Sequence, residues 1–211
     1  MILLKSFRTS KPVCENSYIF KRKLAIFRVE NKGWCLAMNI NYFNKISLKG
    51  RVSYGISCFE NTLIALNYNV NEWRIVLEYL WEFTSIKYLD DWSGIVAEII
   101  PENLLEFKSY EEHHFEYLDE KNFKYLYRLY QNIDKKIDFV MTSIYDIGIS
   151  HAYSRIVEYG QNSLDELEIL INHMVKSNVP LPDINLFERF SIEENNGWGN
   201  AFDGKSISSI L

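Results

Sequence analysis

The stretch Glu111-Glu-His-His114 holds the residue types that come closest to a set of metal ligands. In a helix, Glu111 and His114 would project from one face, which is half of the pattern of a carboxylate-bridged di-iron site. The other half is missing, because neither His151 nor His173 has a Glu three residues before it. The four histidines also form no H-x-x-x-H pair of the kind that binds zinc. We therefore predict no metal and no cofactor.

A nucleophilic enzyme would need a Ser or Cys set against a His and a carboxylate. The sequence has no G-x-S-x-G motif, and Cys35 lies in an alternating apolar segment that is typical of a core strand. The glycines of Gly197-Trp-Gly199 lie too near the end of the chain for a phosphate-binding helix and a second strand to follow. We expect a protein that is not an enzyme, although a hydrolase of unrecognised type remains a third alternative.

Carboxylates are concentrated between Glu102 and Glu120, where seven Asp or Glu residues accompany the single cation Lys108. A surface selected only for solubility would intersperse lysines. Aromatic anchors ringed by charge are typical of protein interfaces, and Trp92 and Tyr110 could serve as such anchors, with core packing as the alternative for Trp92. The candidate contacts with a partner are Asp90, Asp91, Trp92, Tyr110, Glu111, Glu112, Glu116, Asp119 and Glu120.

Charge is distributed unevenly along the chain. Residues 1–51 hold 11 Lys or Arg and 2 Asp or Glu, a net charge of +9, whereas residues 52–211 hold 12 and 26, a net charge of −14. Such an asymmetry often indicates a binding partner of opposite charge, because the summed charge of a protein influences how fast it meets other charged molecules. The basic part could bind nucleic acid, the acidic part could bind a basic protein, or the two parts could attract one another within the fold.

Secondary-structure signals change near residue 58. Leu24-Ala-Ile-Phe-Arg-Val29 and Trp34-Cys-Leu-Ala-Met-Asn-Ile40, joined by a turn that ends at Gly33, predict a β-hairpin, and a further strand is expected around Arg51 to Tyr54. The later part has helical periodicity. We predict an α+β fold that is predominantly helical, with a small N-terminal antiparallel β-hairpin or sheet followed by a helical bundle. It forms a single domain over residues 1–211, β-rich over 1–57 and helical over 58–211.

Start signals place several of the helices. Asn71 can cap a helix that carries Trp73, Asp119 can start another, and Pro101 suits the first position of a short one. Ser163-Leu-Asp-Glu166 has the form of a capping box.

Cysteine usage and hydropathy predict a cytoplasmic protein that does not contact a membrane. Three cysteines without a C-x-x-C spacing suit a reducing compartment. The opening Met-Ile-Leu-Leu has too short an apolar run for a signal peptide, and no window is apolar enough to span a bilayer.

With its acidic, aromatic-rich helical character, a small N-terminal sheet and the ending Asn196-Gly-Trp-Gly-Asn-Ala-Phe-Asp-Gly204, the chain resembles bacterial immunity proteins. These neutralise the toxin domains of contact-dependent growth inhibition and other polymorphic toxin systems. The resemblance implies that the partner is a cognate toxin C-terminal domain, whose active site or substrate-binding surface the chain would occlude. The runner-up is a nucleic-acid-binding protein that uses a basic β-surface from Lys21 to Arg51, although the acidic remainder makes nucleic acid an unfavoured partner.

Overall fold

The computed structural model describes residues 39–211, and contacts divide the chain between Trp34 and Cys35, so that all described residues belong to the second unit. Seven α-helices occur in this part: α1 Leu48–Ala65, α2 Arg74–Trp81, α3 Leu89–Ile99, α4 Pro101–Leu104, α5 Glu120–Tyr130, α6 Lys135–Ile149 and α7 Gln161–Lys176. Short 3-10 turns lie at Ile40–Lys45, Val70–Trp73, Glu82–Thr84, Tyr110–Glu112, Ile184–Leu186, Glu194–Gly197 and Gly204–Ser206. No helix in this described part is both long and apolar enough to cross a membrane.

Helix α1 is the centre of the unit. It packs against α2, α6 and α7, and fourteen of its eighteen residues are buried. Two glycines permit this packing: a Cβ at Gly50 would lie 2.5 Å from Ile46 Cγ2, and one at Gly55 would lie 3.2 Å from Ile144 Cγ1. A helix that is enclosed on all sides needs no polar face, so its sequence shows little of the 3.6-residue periodicity that marks a surface helix.

The α+β prediction was wrong for the described residues. The strand expected around Arg51 to Tyr54 is part of α1, and residues 39–211 contain no strand beyond the isolated antiparallel bridge between Ile46 and Ser191. Most of the predicted hairpin lies outside the described residues, and its last residue, Ile40, begins a 3-10 turn. The strand was expected because Gly50 and Gly55 bound this segment as turn residues would. In the structure both glycines lie inside α1, where they allow close packing of neighbouring side chains.

The helical prediction for the later part was correct, but two starts were misplaced. Asp119 caps α5 by accepting the backbone N–H of Asn122 at 2.7 Å, as predicted. Helix α7 begins at Gln161, and Ser163 therefore lies inside its first turn, where the hydroxyl donates to Gly160 O at 2.9 Å. Asn69, rather than Asn71, caps the 3-10 turn that leads into α2.

Two buried cations lie in the first turn of α1. Burial lowers the pKa of Lys49 to about 8, and its ammonium donates to Phe83 O at 2.8 Å. Arg51 is fully buried, its pKa is lowered by burial to about 10, and its guanidinium donates to four oxygens, those of Phe43 O, Tyr159 O, Gly160 O and Ser163 Oγ. Hydrogen bonds to neutral oxygens offset part of the cost of removing each charge from water.

One buried anion lies further along α1. The Glu60 carboxylate accepts the indole N–H of Trp81 at 3.0 Å, the backbone N–H of Ser209 at 2.8 Å and its hydroxyl at 2.7 Å, and also the Ser208 hydroxyl. These bonds fasten the C-terminal segment to the central helix. Glu60 was not predicted to have a structural role, because its donors come from residues that are distant in sequence.

Candidate functional site

An exposed tyrosine between α3 and α5 has a cluster of carboxylates around it. The ring of Tyr117 lies on α3 at Gly94, where a Cβ would be 2.2 Å from ring atom Cε2, and the side chain remains 38% exposed. Desolvation is the largest of the effects that raise the pKa of the Tyr117 hydroxyl, followed by the charges of Glu116, Asp91, Glu98 and Asp90. The arrangement presents an exposed aromatic side chain in a negatively charged environment.

Glu98 positions the loop that carries this tyrosine. Its carboxylate accepts three consecutive backbone N–H groups, those of Glu116 at 2.7 Å, Tyr117 at 3.1 Å and Leu118 at 2.8 Å. Charge-assisted hydrogen bonds of this kind are roughly twice as strong as neutral ones. One side chain of α3 thus binds three consecutive residues of the loop, and it helps to position Tyr117.

A second tyrosine extends the negative surface toward α2. The pKa of the Tyr79 hydroxyl is raised, and burial is the largest cause. The charges of Asp119, Glu82 and Glu78 raise this pKa further. A hydrogen bond from Asn122 has the opposite effect. The Asn122 amide donates to Tyr79 Oη at 3.3 Å and to Asp119 Oδ2 at 3.4 Å. Asp119 is thus connected to Tyr79 through Asn122, and it lies two residues after Tyr117 in the chain.

We call this set of residues the acidic face. It consists of Tyr117 and Tyr79 with the carboxylates of Asp90, Asp91, Glu98, Glu116, Asp119, Glu78 and Glu82. Within residues 39–211, Lys205 is the only cation that forms an ion pair with any of these carboxylates, at 3.8 Å from Glu78. A surface of this kind attracts cations, because its charges are not neutralised locally.

The structure brings three of the predicted contact residues, Asp90, Asp91 and Glu116, near Tyr117, and it places a fourth, Asp119, near Tyr79. All four are exposed. Three others are exposed but engaged elsewhere. Glu120 forms an ion pair with Lys124. The pKa of Glu111 is lowered by hydrogen bonds to its own backbone and to Ser109, and also by the charge of Lys124. Glu112 accepts the backbone N–H of Lys108 at 2.8 Å.

Neither predicted aromatic anchor lies free on the acidic face. Trp92 is 1% exposed, and its indole N–H donates to Tyr79 O at 3.1 Å, so its ring is not accessible to a partner. Its ring fits against Gly148, where a Cβ would be 2.6 Å away. Tyr110 is half-buried and stacks on Phe115 with 5.2 Å between ring centroids.

Patterns in the sequence did not point to Tyr117, Tyr79 or Glu98, nor to the carboxylates of Glu78 and Glu82 at the end of α2 and just after it. One signal was available for Tyr117, which lies between two of the predicted carboxylates. No sequence signal connects Tyr117 to Gly94, because the contact depends on how the loop folds back on α3.

The metal pattern at Glu111 and His114 does not form the helical face on which it depends. Tyr110–Glu112 is a single 3-10 turn, and the backbone is extended at His113, whose ring stacks on Phe107 at 4.5 Å. No group of three or more His, Cys, Asp or Glu residues in the described part is arranged to hold a metal ion.

The basic surface considered for nucleic acid lies mostly outside the described residues. Of its members within the described part, Lys49 and Arg51 are buried and bonded to backbone carbonyls, so they cannot contact a phosphate. Lys45 is exposed.

The glycine-rich ending has a role in the fold. Lys49 N donates to Trp198 O at 3.0 Å, and a Cβ at Gly199, where φ is +84°, would lie 2.4 Å from Ser47 Oγ. The ending therefore packs directly against the start of α1. No family model, curated protein or solved structure matches the chain.

Proposed function

We propose that the chain is a binding protein whose acidic face docks a basic protein. The observation that supports this proposal is the position of Tyr117, whose side chain is 38% exposed and whose hydroxyl lies within the electrostatic influence of four carboxylates. None of these four forms an ion pair with a Lys or Arg of residues 39–211. Burying an aromatic side chain contributes strongly to binding, and carboxylates at its edge select a cationic partner. The same surface disfavours nucleic acid, because it would repel phosphates.

The partner in this proposal is a toxin domain, and the chain is its immunity protein. The support is the resemblance described above together with the sign of the exposed charge. Many toxins that cleave nucleic acids have positive clefts, and an acidic protein that fills such a cleft excludes the substrate. In this proposal the chain acts in the cytoplasm. An odd number of cysteines and the buried free thiol of Cys58 are consistent with a reducing compartment.

Charge and packing have separate tasks in this mechanism. Unpaired carboxylates raise the association rate, to about 10⁸–10⁹ M⁻¹s⁻¹ at low salt in the most strongly steered complexes. The buried part of an interface determines mainly the dissociation rate. Tyr117 is the aromatic group of this surface best placed to become buried, since its ring packs on α3 at Gly94 and is still 38% exposed.

The experiment begins with the reading frame immediately upstream of this gene. The C-terminal domain that it encodes is expressed in a bacterial host with and without this chain, and growth is measured. We expect the domain alone to arrest growth and the chain to restore it. A domain that is harmless to the host, or a chain that does not restore growth, would contradict the immunity assignment.

Matched triple variants then test the surface. Asp90→Lys, Asp91→Lys and Glu116→Lys reverse three charges of the acidic face, whereas Asp165→Lys, Glu168→Lys and Glu188→Lys make the same charge change at other exposed positions. We expect the first variant to associate with the toxin domain at least about tenfold more slowly at low salt, and to lose most of the salt dependence. Equal effects of the two variants would show that the acidic face is not the docking site.

A further inference from the structure

The connection between α6 and α7, residues 151–160, is bound to the central helix by a buried guanidinium. Arg51 of α1 donates to Tyr159 O at 2.6 Å and to Gly160 O at 3.0 Å, the last two residues of this connection. The same side chain donates to Phe43 O at 3.0 Å and to a hydroxyl on α7 at 2.6 Å. Arg51 thus joins the connection to the 3-10 turn before α1 and to the first turn of α7.

His151, the first residue of the connection, lies beside this guanidinium. Its side chain is buried, and Nε2 has no hydrogen-bond partner among the described residues. On the other side of the ring, Nδ1 lies 3.5 Å from Ser154 Oγ. A Cβ at Gly160, where φ is +64°, would lie 3.2 Å from both His151 Nε2 and Arg51 Nη1. The two nitrogens are therefore close neighbours at the glycine that ends the connection.

No carboxylate accompanies these two groups in the part of the chain that the structure describes. Neither Arg51 nor His151 forms an ion pair within residues 39–211, and the groups that contact them through hydrogen bonds are carbonyl oxygens and serine hydroxyls. Arg51 is the charged side chain of this part whose charge acts on the pKa of His151. A proton on the imidazole would therefore place a second positive charge beside the first, where burial leaves the repulsion poorly screened.

The outer side of the connection is largely exposed to solvent. Tyr153, Val157 and Tyr159 are 98%, 68% and 53% exposed. Ile156 is half-buried, and its Cγ2 would lie 2.7 Å from a Cβ at Gly197. Segments with few buried apolar contacts open locally at a small cost in free energy. The connection can therefore separate from α1 while the helices stay folded.

We propose that residues 151–160 form a pH-sensitive latch, which is closed on Arg51 while His151 is neutral and opens when His151 takes up a proton. Arg51 belongs to a helix that its neighbours enclose, so the connection is the partner that moves away. Opening carries the imidazolium into water, exposes Ile156 and leaves water to replace two carbonyl acceptors of the guanidinium. The latch is independent of docking on the acidic face, since none of its residues belongs to that face.

The direction of the response follows from proton linkage. In the open state His151 is solvated, and its pKa is about 6.5. In the closed state burial lowers this pKa most and the charge of Arg51 lowers it further, whereas the backbone of Gly160 has the opposite effect. The ratio of open to closed molecules therefore rises as the pH falls below about 6.5, by at most about tenfold for each pH unit. It levels off once the closed state is protonated as well.

Amide hydrogen exchange followed by NMR tests the latch. Two amides of the connection report on opening, because Ser154 N donates to His151 O at 3.2 Å and Gly160 N donates to Val157 O at 2.9 Å. Protection factors, which correct for the intrinsic pH dependence of exchange, are compared at about pH 7.5 and about pH 5. We expect the protection of both amides to be about tenfold lower at the lower pH. A low urea concentration should not change it, because local opening exposes little surface.

Two matched variants identify the proton that opens the latch. His151→Gln removes the titrating group, whereas His173→Gln makes the same change at a histidine of α7 whose pKa is also lowered by burial. We expect the pH response of the two amides to be lost in His151→Gln and retained in His173→Gln. Protection that does not change with pH in wild type, or a response that persists in His151→Gln, overturns the latch.

Two measurements on the wild-type protein do not depend on how a variant folds. The imidazole of His151 should titrate with a midpoint below about pH 6.5, and a midpoint at or above that value overturns the latch, because protonation would then not favour opening. Amides at the centre of α5 should stay more protected than those of the connection at both pH values. Equal protection with the same pH dependence in both places would mean that the protein unfolds globally and has no latch.

Discussion

Glu60 and Trp81 are joined by a hydrogen bond of 3.0 Å that runs from the indole N–H to a fully buried carboxylate. The remaining acceptor positions of that carboxylate are taken by Ser208 and Ser209. One side chain of the central helix thus connects α2 with the C-terminal segment. The same segment contains Lys205, which forms an ion pair with Glu78 of the acidic face. Glu60 therefore stabilises both the core and the position of this surface lysine.

Glu60→Gln should destabilise the protein. A glutamine retains one acceptor oxygen but places an NH₂ group among donors, which leaves buried donors unsatisfied at a cost of about 1–3 kcal/mol. The free energy of unfolding from urea denaturation is the measurement, and Glu168→Gln, an exposed position on α7, is the control. A loss no larger than that of the control would mean that water replaces the missing bonds.

His151 should make the stability depend on pH. The side chain is buried. Burial lowers the pKa of His151 most, and the charge of Arg51 lowers it further, whereas the backbone of Gly160 has the opposite effect on this pKa. As the pH falls, His151 is therefore protonated in the unfolded chain, with a pKa of about 6.5, before it is protonated in the folded protein. Stability contributed by neutral His151 is present above pH 6.5 and is lost as the pH falls toward the folded value. Burial also lowers the pKa of His173, which acts in the same direction.

Unfolding free energies at pH 8, 7, 6 and 5 check this prediction for His151. We expect His151→Gln to unfold more easily than wild type at pH 8 but to lose less stability on acidification. His114→Gln removes an exposed histidine and is the matched control. Identical slopes of stability against pH in wild type and His151→Gln would contradict the prediction.

Gly94→Ala should displace Tyr117 without unfolding α3. The new Cβ would lie 2.2 Å from a ring atom, but the ring is at the surface and can move away, and alanine is a better helix former than glycine by about 1 kcal/mol. We expect helical content to be retained and the complex with the toxin domain to dissociate about tenfold faster, as for loss of an aromatic anchor. Dissociation kinetics by surface plasmon resonance give the answer, with Tyr117→Phe as the conservative control.

Glu98→Gln should loosen the loop of Tyr117. The amide has no charge, keeps a single acceptor oxygen and places an NH₂ group against the remaining backbone N–H donors, which costs about 1–3 kcal/mol. Amide hydrogen exchange at Glu116, Tyr117 and Leu118 should become about 10–100-fold faster. Glu106→Gln, at an exposed position, should leave these rates unchanged. Unaltered exchange in Glu98→Gln would show that other contacts hold the loop.

Local patterns in the sequence were enough to predict most helices of the described part. Asp119 starts α5 because a short acidic side chain can cap the next backbone N–H groups, and that interaction needs no distant residue. The position of Pro101 at the start of α4 follows in the same way from its fixed φ and missing N–H. Periodicity failed for α1, because enclosure on all sides removes the polar stripe by which a helix is recognised.

Composition alone predicted an acidic surface, since seven carboxylates between Glu102 and Glu120 accompany a single lysine in the same stretch. The tertiary structure decided which of these carboxylates lie together, that Trp92 is in the core and that Tyr117 is exposed among the charges. The physical reason is that capping and periodicity act between near neighbours in the chain. Three contacts instead join residues that only the folded chain brings close. The ring of Tyr117 packs on Gly94, Glu98 accepts the backbone N–H of Tyr117, and Lys205 forms an ion pair with Glu78.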